Sequence, residues 1–132
     1  MNNSSLNMNK PFIKRKSTES VEQIKFVQHV RTFHPDVLVF SVPNGGDVSA
    51  SQRIRLTQEG MLAGVPDVLL FALDRPTLAI EFKRPDGKGK ISPEQQAVGV
   101  QLEGVGALVR VATSADQAKQ HMADWLAKVY HE

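Results

Sequence analysis

The sequence of 132 residues contains no cysteine. This absence excludes a disulfide framework, a thiol nucleophile and a thiolate zinc site, and it favours a cytoplasmic protein. No apolar run approaches the roughly 18 residues that a membrane-spanning helix needs, and the N-terminus lacks the apolar core of a signal peptide. We therefore expect no membrane association. The net charge is only +2, so net charge alone says little about a nucleic-acid partner.

Hydrophobic residues make up 41% of the chain and charged residues 23%, which is typical of a globular domain able to bury a core. Residues 1–16 are rich in Asn and Ser and then basic, and we expect them to form a flexible basic N-terminal arm. The folded domain then occupies residues 17–132. A second basic cluster consists of Lys83, Arg84, Lys88 and Lys90. It lies in a loop of the kind that contacts phosphates.

Two short apolar runs flank the turn signal Asp74-Arg75-Pro76 and predict a β-hairpin with a loop of about three residues. The predicted register has three pairs: Leu73 with Thr77, Asp67 with Lys83, and Leu69 with Glu81. Side chains alternate between the two faces of a strand. The even positions are all apolar and predict a core face: Val68, Leu70, Leu78, Ile80 and Phe82.

The opposite face of the hairpin gathers Asp67, Glu81 and Lys83 at one end. Diagonal neighbours in a sheet lie roughly 7–8 Å apart at the backbone, so two converging carboxylates can hold a divalent cation between them. The alternative is a solvated face with an ion pair worth about 0–1 kcal/mol. Two like charges placed together favour the first interpretation, because they destabilise the fold without a cation or proton.

A helix is predicted over residues 17–33, with an apolar stripe at Val21, Ile24, Val27 and Val30. At about 100° per residue, Glu19 and Gln23 fall near the edge of this stripe. Glu22 is predicted to point toward solvent.

The remaining chain predicts a strand at 37–42, a turn at Pro43-Asn44-Gly45-Gly46, a helix at 50–59, a strand at 107–112 and a helix at 114–130. A capping box formed by Ser92 and Gln95 begins another helix. Helices that alternate with strands and a hairpin predict an α/β fold, with a mixed sheet covered by helices.

The motifs in this order resemble a known family. Pro66-Asp67, a hairpin and then Glu81-Phe82-Lys83 resemble the Pro-Asp…(Asp/Glu)-x-Lys signature of metal-dependent nucleases. With the first helix, the Asn-Gly-Gly turn and Ser92-Pro93-Glu94-Gln95-Gln96, the chain resembles the VRR-NUC (virus-type replication and repair nuclease) branch of the PD-(D/E)xK superfamily over roughly residues 17–130. The resemblance implies a restriction-endonuclease-like core, with a mixed central β-sheet flanked by helices.

The resemblance also implies a function. Stand-alone phage and bacterial members look like Holliday-junction resolvases, which implies an Mg²⁺-dependent, structure-selective DNA endonuclease. Such an enzyme would hydrolyse phosphodiester bonds in branched DNA during replication, recombination or repair, in the cytosol of a bacterium or a phage-infected host. A homodimer is expected, because a four-way junction needs two symmetric nicks. The alternatives are a sequence-specific or flap-type nuclease of the same fold, and a catalytically inert DNA-binding module.

For the site, the resemblance implies that Asp67 and Glu81 hold Mg²⁺ or Mn²⁺ together with the main-chain carbonyl of Phe82. Lys83 then orients or deprotonates the attacking water. The acid on the first helix is placed at Glu19 as a further catalytic and metal-binding residue, and Glu22 is the other candidate for that role.

Gln95 is included among the catalytic residues by the same resemblance, although its place in the capping box could alone explain it. DNA contacts are expected at Asn44, Gly45, Arg84, Lys88 and Lys90. The chain departs from the family after the Asn-Gly-Gly turn, where Asp47 replaces a residue that is often basic.

Overall fold

The computed structural model describes residues 17–43, 46, 48–86 and 88–130. Its elements follow in the order α1 (Thr18–Phe33), β1 (Leu38–Ser41), α2 (Ala50–Gln58), β2 (Val68–Phe71), β3 (Leu78–Phe82), α3 (Pro93–Gly104), β4 (Leu108–Ala112) and α4 (Ala115–Ala127). The predicted N-terminal arm lies outside the described residues.

The four strands form one sheet in the order β1-β2-β3-β4. β1 and β2 are antiparallel, as are β2 and β3, whereas β3 and β4 are parallel. The parallel pair is connected through α3, as a parallel crossover requires. The predicted α/β fold with a mixed sheet is confirmed.

Serine residues begin each of the four helices in the described part of the chain. Each accepts a hydrogen bond from a main-chain amide of the first turn, and together they are Ser17, Ser49, Ser92 and Ser114. This contact satisfies one of the free amides at a helix start. The predicted first two helices, at 17–33 and 50–59, match the observed bounds to within one residue. Within the described part of the chain, no helix is both long enough and apolar enough to cross a membrane.

The main core lies between the sheet and the two helices α1 and α4. All five apolar even positions of the hairpin are buried there, as predicted. Phe26 and Val30 of α1 and Met122 and Trp125 of α4 pack against them. The alternation of the hairpin therefore identified the core face correctly.

The predicted hairpin register is wrong by two residues. Leu69 pairs with Ala79 and not with Glu81, and the paired segment extends only from Val68 with Ile80 to Leu70 with Leu78. Residues 72–77 connect the strands, so the loop is longer than the three residues predicted. A shift of two keeps every side chain on its predicted face. Continued by one residue, the observed register places Asp67 opposite Glu81 and not opposite Lys83.

Contacts with α4 explain the longer loop. The Arg75 guanidinium donates to the main-chain carbonyl of Trp125, and it lies 5.6 Å from the centre of the Trp125 ring. The Trp125 indole donates in return to the Pro76 carbonyl at 2.8 Å. Asp74 adopts a positive φ of 58°, which Asp tolerates better than most residues. Leu73 and Thr77 therefore belong to a loop that is held by tertiary contacts and not to a tight hairpin.

The second face of the sheet is also covered at its centre. All five residues of β3 are buried. α3 packs on this side, where a Cβ built on Gly99 would lie 3.8 Å from the Val109 side chain. The apolar even positions explain the burial of only one face of β3. The other face buries Ala79 and Glu81, so the hypothesis of a solvated polar face is wrong for Glu81.

Candidate active site

Two antiparallel strands bring the candidate acids together. Asp67 directly precedes the first residue of β2, and Glu81 is the penultimate residue of β3. Because the strands run in opposite directions, the start of β2 and the end of β3 lie at the same end of the sheet. Lys83 follows β3 immediately and extends it by a hydrogen bond from its amide to the Ala112 carbonyl of 2.9 Å.

Glu81 is the only buried charged side chain among the described residues and is 6% exposed. Its Oε1 accepts a hydrogen bond of 2.7 Å from the Gln95 side-chain amide and lies 3.9 Å from the Lys83 ammonium. Its Oε2 is buried, and no N–H or O–H donor of the described residues reaches it. A buried carboxylate oxygen without a donor is costly, which makes it suited to bind a proton or a cation.

Asp67 is held by two neighbouring strands. Its Oδ2 accepts a hydrogen bond of 2.7 Å from the Phe82 amide, and its main-chain carbonyl accepts one of 2.8 Å from the Val42 amide. These contacts fix both the backbone and the carboxylate of Asp67 beside β3. The sequence contains the Asp–Glu pairing as a motif but gives no sign of the bond to Phe82.

Gln95 connects the two ends of the site. Its side-chain oxygen accepts from the Lys83 ammonium at 2.7 Å and from the Ser92 amide at 2.9 Å, and its side-chain nitrogen donates to Glu81. The capping box at the start of α3 is present. The interpretation as a capping residue is therefore confirmed, and the same amide also bridges Glu81 and Lys83. A catalytic role of Gln95 stays a prediction.

Among the acids and bases of the site, Glu81 has the pKa that its surroundings change most clearly. Burial in the sheet and the negative charge of Asp67 raise the pKa of Glu81 from its ordinary 4.5 to about 8, against the opposing effect of Lys83. The charge of Glu19 on α1 raises the pKa of Glu81 further, as the smallest of these effects. Near neutral pH, and without a cation, Glu81 is therefore largely protonated.

The two candidate acids of α1 have separate surroundings. At about 100° per residue, Glu19 lies within about 20° of both Phe26 and Val30, the two buried residues of this helix. The real apolar stripe thus differs from the predicted one, whose Val21 is 37% exposed. Glu19 continues this stripe into the first turn of α1.

The prediction that Glu22 points into solvent is wrong. Its Oε1 accepts a hydrogen bond of 3.0 Å from the Ala115 amide at the start of α4, and its Oε2 lies 3.1 Å from the Lys25 ammonium. These two contacts lower the pKa of Glu22, the amide contact first. The prediction missed this role because Ala115 is 93 residues away along the chain.

The predicted DNA contacts fall on two segments. Arg84, Lys88 and Lys90 are exposed in the loop after β3, and the Arg84 guanidinium lies 2.6 Å from the Asp86 carboxylate. Asn44 and Gly45 lie outside the described residues. The structure therefore places a basic loop beside Lys83, with one of its three cations already in an ion pair.

The donor set of the site fits a hard divalent cation. Among the described residues, no three Asp, Glu, His or Cys side chains gather into a metal-binding cluster. The two carboxylates and the main-chain carbonyl of Phe82 are oxygen donors, which Mg²⁺ and Mn²⁺ prefer, and the Glu81 Oε2 has no other partner among the described groups. The arrangement could hold such an ion, with Lys83 beside it.

Comparison with known proteins identifies the fold. No protein-family model matches the chain, and no curated protein matches it. A solved structure described as a "VRR_NUC domain protein" is similar over 90% of this chain and 96% of its own, with a TM-score of 0.69 and 18% identity. At this identity the likeness shows the fold, which is the one that the sequence motifs predicted.

We predict that Glu81→Gln removes a pH dependence of stability in the metal-free protein. The unfolded carboxyl ionises near 4.5 and the folded one near 8, so the folded state keeps a proton that the unfolded state has lost. Raising the pH through this window therefore destabilises the wild type, by roughly 2–5 kcal/mol. Thermal unfolding in EDTA from pH 4.5 to 8.5 measures the effect.

The control for this experiment is Glu103→Gln, which changes an exposed glutamate at the end of α3. Its melting curve should follow the wild type at every pH, whereas Glu81→Gln should gain stability over the wild type as the pH rises. Parallel curves for all three proteins would contradict the assignment of a proton to Glu81.

The two acids of α1 should differ in stability when replaced. Glu22→Ala leaves the Ala115 amide without its partner and should cost about 1 kcal/mol, the usual effect of losing a helix N-terminal contact. Glu19→Ala removes a like charge near Glu81 and should not lower stability. Urea denaturation at pH 7 measures both, and a larger loss for Glu19→Ala would reverse the two assignments.

Proposed function

We propose that this chain is a metal-dependent DNA endonuclease that hydrolyses phosphodiester bonds. One observation carries the proposal: a buried glutamate, Glu81, has an oxygen without a donor among the described groups. Its other oxygen is bonded to Gln95, which also holds Lys83, and the charge of Asp67 acts on the same carboxyl group. The fold shared with a "VRR_NUC domain protein" supports the same function. Neither observation alone would suffice, because a fold hosts many activities.

Asp67, Glu81 and the Phe82 carbonyl are the residues that would hold Mg²⁺ or Mn²⁺, with Glu19 as a further acid on the approach from α1. A bound cation of this kind polarises a phosphate and makes a water molecule more acidic. Glu81 must lose its proton for this role, and Lys83 already opposes the proton electrostatically. The hydrogen bond from the Phe82 amide, 2.7 Å long, holds the Asp67 carboxylate beside β3.

Lys83 is the group that we assign to the reacting phosphate and its attacking water. Its side chain is only 13% exposed, and the Gln95 oxygen holds the ammonium at 2.7 Å. A charge fixed in advance in a dry site stabilises a developing negative charge without reorganising. Gln95 thereby acts on the reaction through Lys83 and Glu81, as a positioning residue.

The basic loop supplies a path for the DNA backbone. Lys88 and Lys90 are exposed a few residues after Lys83, and the cations of such loops bind phosphates without reading sequence. We place the scissile strand along this loop. Arg84 would also bind a phosphate of this strand, once the phosphate replaces the Asp86 carboxylate as its partner. Contacts to phosphates alone would give the enzyme no selectivity for base sequence.

Branched DNA and a homodimer complete the proposal. A single domain of this size presents one site, and two copies related by a twofold axis would make the paired nicks that a four-way junction requires. Light scattering at micromolar concentration should give a dimer. Monomers that nick flaps singly would leave the endonuclease proposal intact and exclude the resolvase.

We predict that Asp67→Asn and Glu81→Gln each abolish Mg²⁺-dependent cleavage of plasmid, fork and four-way-junction DNA. Lys83→Ala should lower the cleavage rate by roughly 10²–10³-fold, because its charge acts in the transition state, while DNA affinity falls little. Rates in Mg²⁺ and affinities in Ca²⁺ would be measured for each variant.

Asp124→Asn, which changes an exposed acid on α4, serves as the control and should cleave like the wild type. EDTA should stop cleavage by both. Cutting that persists in Asp67→Asn or Glu81→Gln would refute the site, and a wild type that binds but never cuts would indicate an inert DNA-binding module.

A further inference from the structure

Gly64 lies in the segment that joins α2 to β2 and has a φ of +94°, a region that favours glycine. Its α-carbon faces the start of α3. A Cβ built there would lie 2.3 Å from the Glu94 carbonyl oxygen and 2.8 Å from the Gln95 amide nitrogen. Both atoms belong to the backbone, so no side chain could rotate away. Only a residue without a side chain allows the two segments to approach this closely.

The two segments in contact carry different parts of the site. Asp67 is three residues after Gly64, with the buried Pro66 between them. On the other side, Gln95 bonds both Glu81 and Lys83 at 2.7 Å. The contact at Gly64 therefore sets the spacing between the segment of the metal-binding acid and the helix turn that orients the lysine.

We propose that Gly64 is a positioning residue of the active site, whose close backbone contact with α3 places Gln95 on Glu81 and Lys83. To accommodate a Cβ, the segments must separate by roughly 1 Å to reach an ordinary van der Waals distance. Asp67 is anchored on two sides, by Val42 and Phe82. The start of α3 is therefore the part that moves, and Gln95 moves with it.

Such a displacement breaks the bridge between the acid and the lysine. Hydrogen bonds of 2.7 Å weaken steeply once the heavy atoms are more than about 3.5 Å apart. The effect on rate rests on the proposed nuclease function, whereas the effect on the Gln95 contacts does not. The two parts can therefore be tested separately.

Gly60 provides a matched control. It also has a positive φ, of 115°, but a Cβ built on it meets nothing within 4 Å. Gly60→Ala and Gly64→Ala thus share the backbone strain, and only Gly64→Ala adds the steric contact with α3. A difference between the two variants reports that contact alone.

The first measurement is kinetic. Gly64→Ala should lower kcat by about 100-fold, the size expected for a misplacement near 1 Å, with KM for DNA nearly unchanged. Gly60→Ala should keep the wild-type kcat. If both variants cleave equally, the inference is wrong. If the wild type does not cleave at all, the proposed function fails and the second measurement decides on Gly64.

The second measurement follows the Gln95 side-chain amide by ¹⁵N–¹H NMR in the metal-free protein, with Gln95→Asn to assign the resonance. Gly64→Ala should move this resonance toward the position of a solvent-exposed amide and speed its hydrogen exchange, whereas Gly60→Ala should leave it unchanged. An unchanged resonance in a folded Gly64→Ala protein would overturn the inference.

A variant with D-alanine at position 64, made by chemical ligation, covers the case in which Gly64→Ala fails to fold. A D-residue suits a positive φ and places its methyl group on the other side of the α-carbon. We expect it to restore both the wild-type kcat and the Gln95 resonance. A folded D-alanine protein with a displaced Gln95 would contradict the role assigned to the contact.

Discussion

The rest of the structure depends on one constraint, a carboxyl group buried in the central strand of the sheet. Glu81 lies in β3, between two neighbouring strands and beneath helices on both faces. Such a position normally holds an apolar residue, because desolvating a carboxylate is costly. The fold keeps Glu81 there and surrounds it with Asp67, Gln95 and Lys83. Burial and the charge of Asp67, opposed by Lys83, raise the pKa of Glu81 to about 8.

The network around Glu81 is incomplete in a specific way. Gln95 and Lys83 reach one oxygen, and the other has no donor among the described residues. If Glu81 were only structural, a glutamine or an apolar residue would give a more stable protein. Unsatisfied buried groups in native proteins tend to mark sites whose partner arrives with the function. In the function that we propose, a divalent cation between the two carboxylates would be that partner.

Local patterns predicted those features that depend on neighbouring residues. Alternation in the hairpin identified the core face, and the Ser92–Gln95 capping box identified the start of α3. The register of β2 with β3 was missed because Arg75 and Pro76 bond to α4, which enlarges the loop. A tertiary contact also explains why the prediction of a solvent-exposed Glu22 was wrong. No local pattern reveals that its partner is the distant Ala115 amide.

The site itself was predicted as a set of residues and not as a geometry. Family resemblance selected Asp67, Glu81, Lys83 and Gln95, and the structure brings these four side chains together. The resemblance could not show that the Gln95 amide bridges Glu81 and Lys83, because this bridge depends on how closely α3 approaches the sheet. That approach is limited by Gly64, whose role is invisible without the backbone of α3. The reason for a glycine at position 64 therefore becomes visible only from the packing of its segment against α3.

The most direct test of the account is calorimetric titration of Mn²⁺ into the metal-free protein near pH 7, in buffers of different ionisation enthalpy. Because metal binding requires deprotonated ligands, and Glu81 holds its proton at this pH, we predict binding with the release of close to one proton. Glu81→Gln should abolish the release and weaken binding. An absence of binding, or the same proton release from Glu81→Gln, would contradict the claim that this buried carboxyl is a metal ligand.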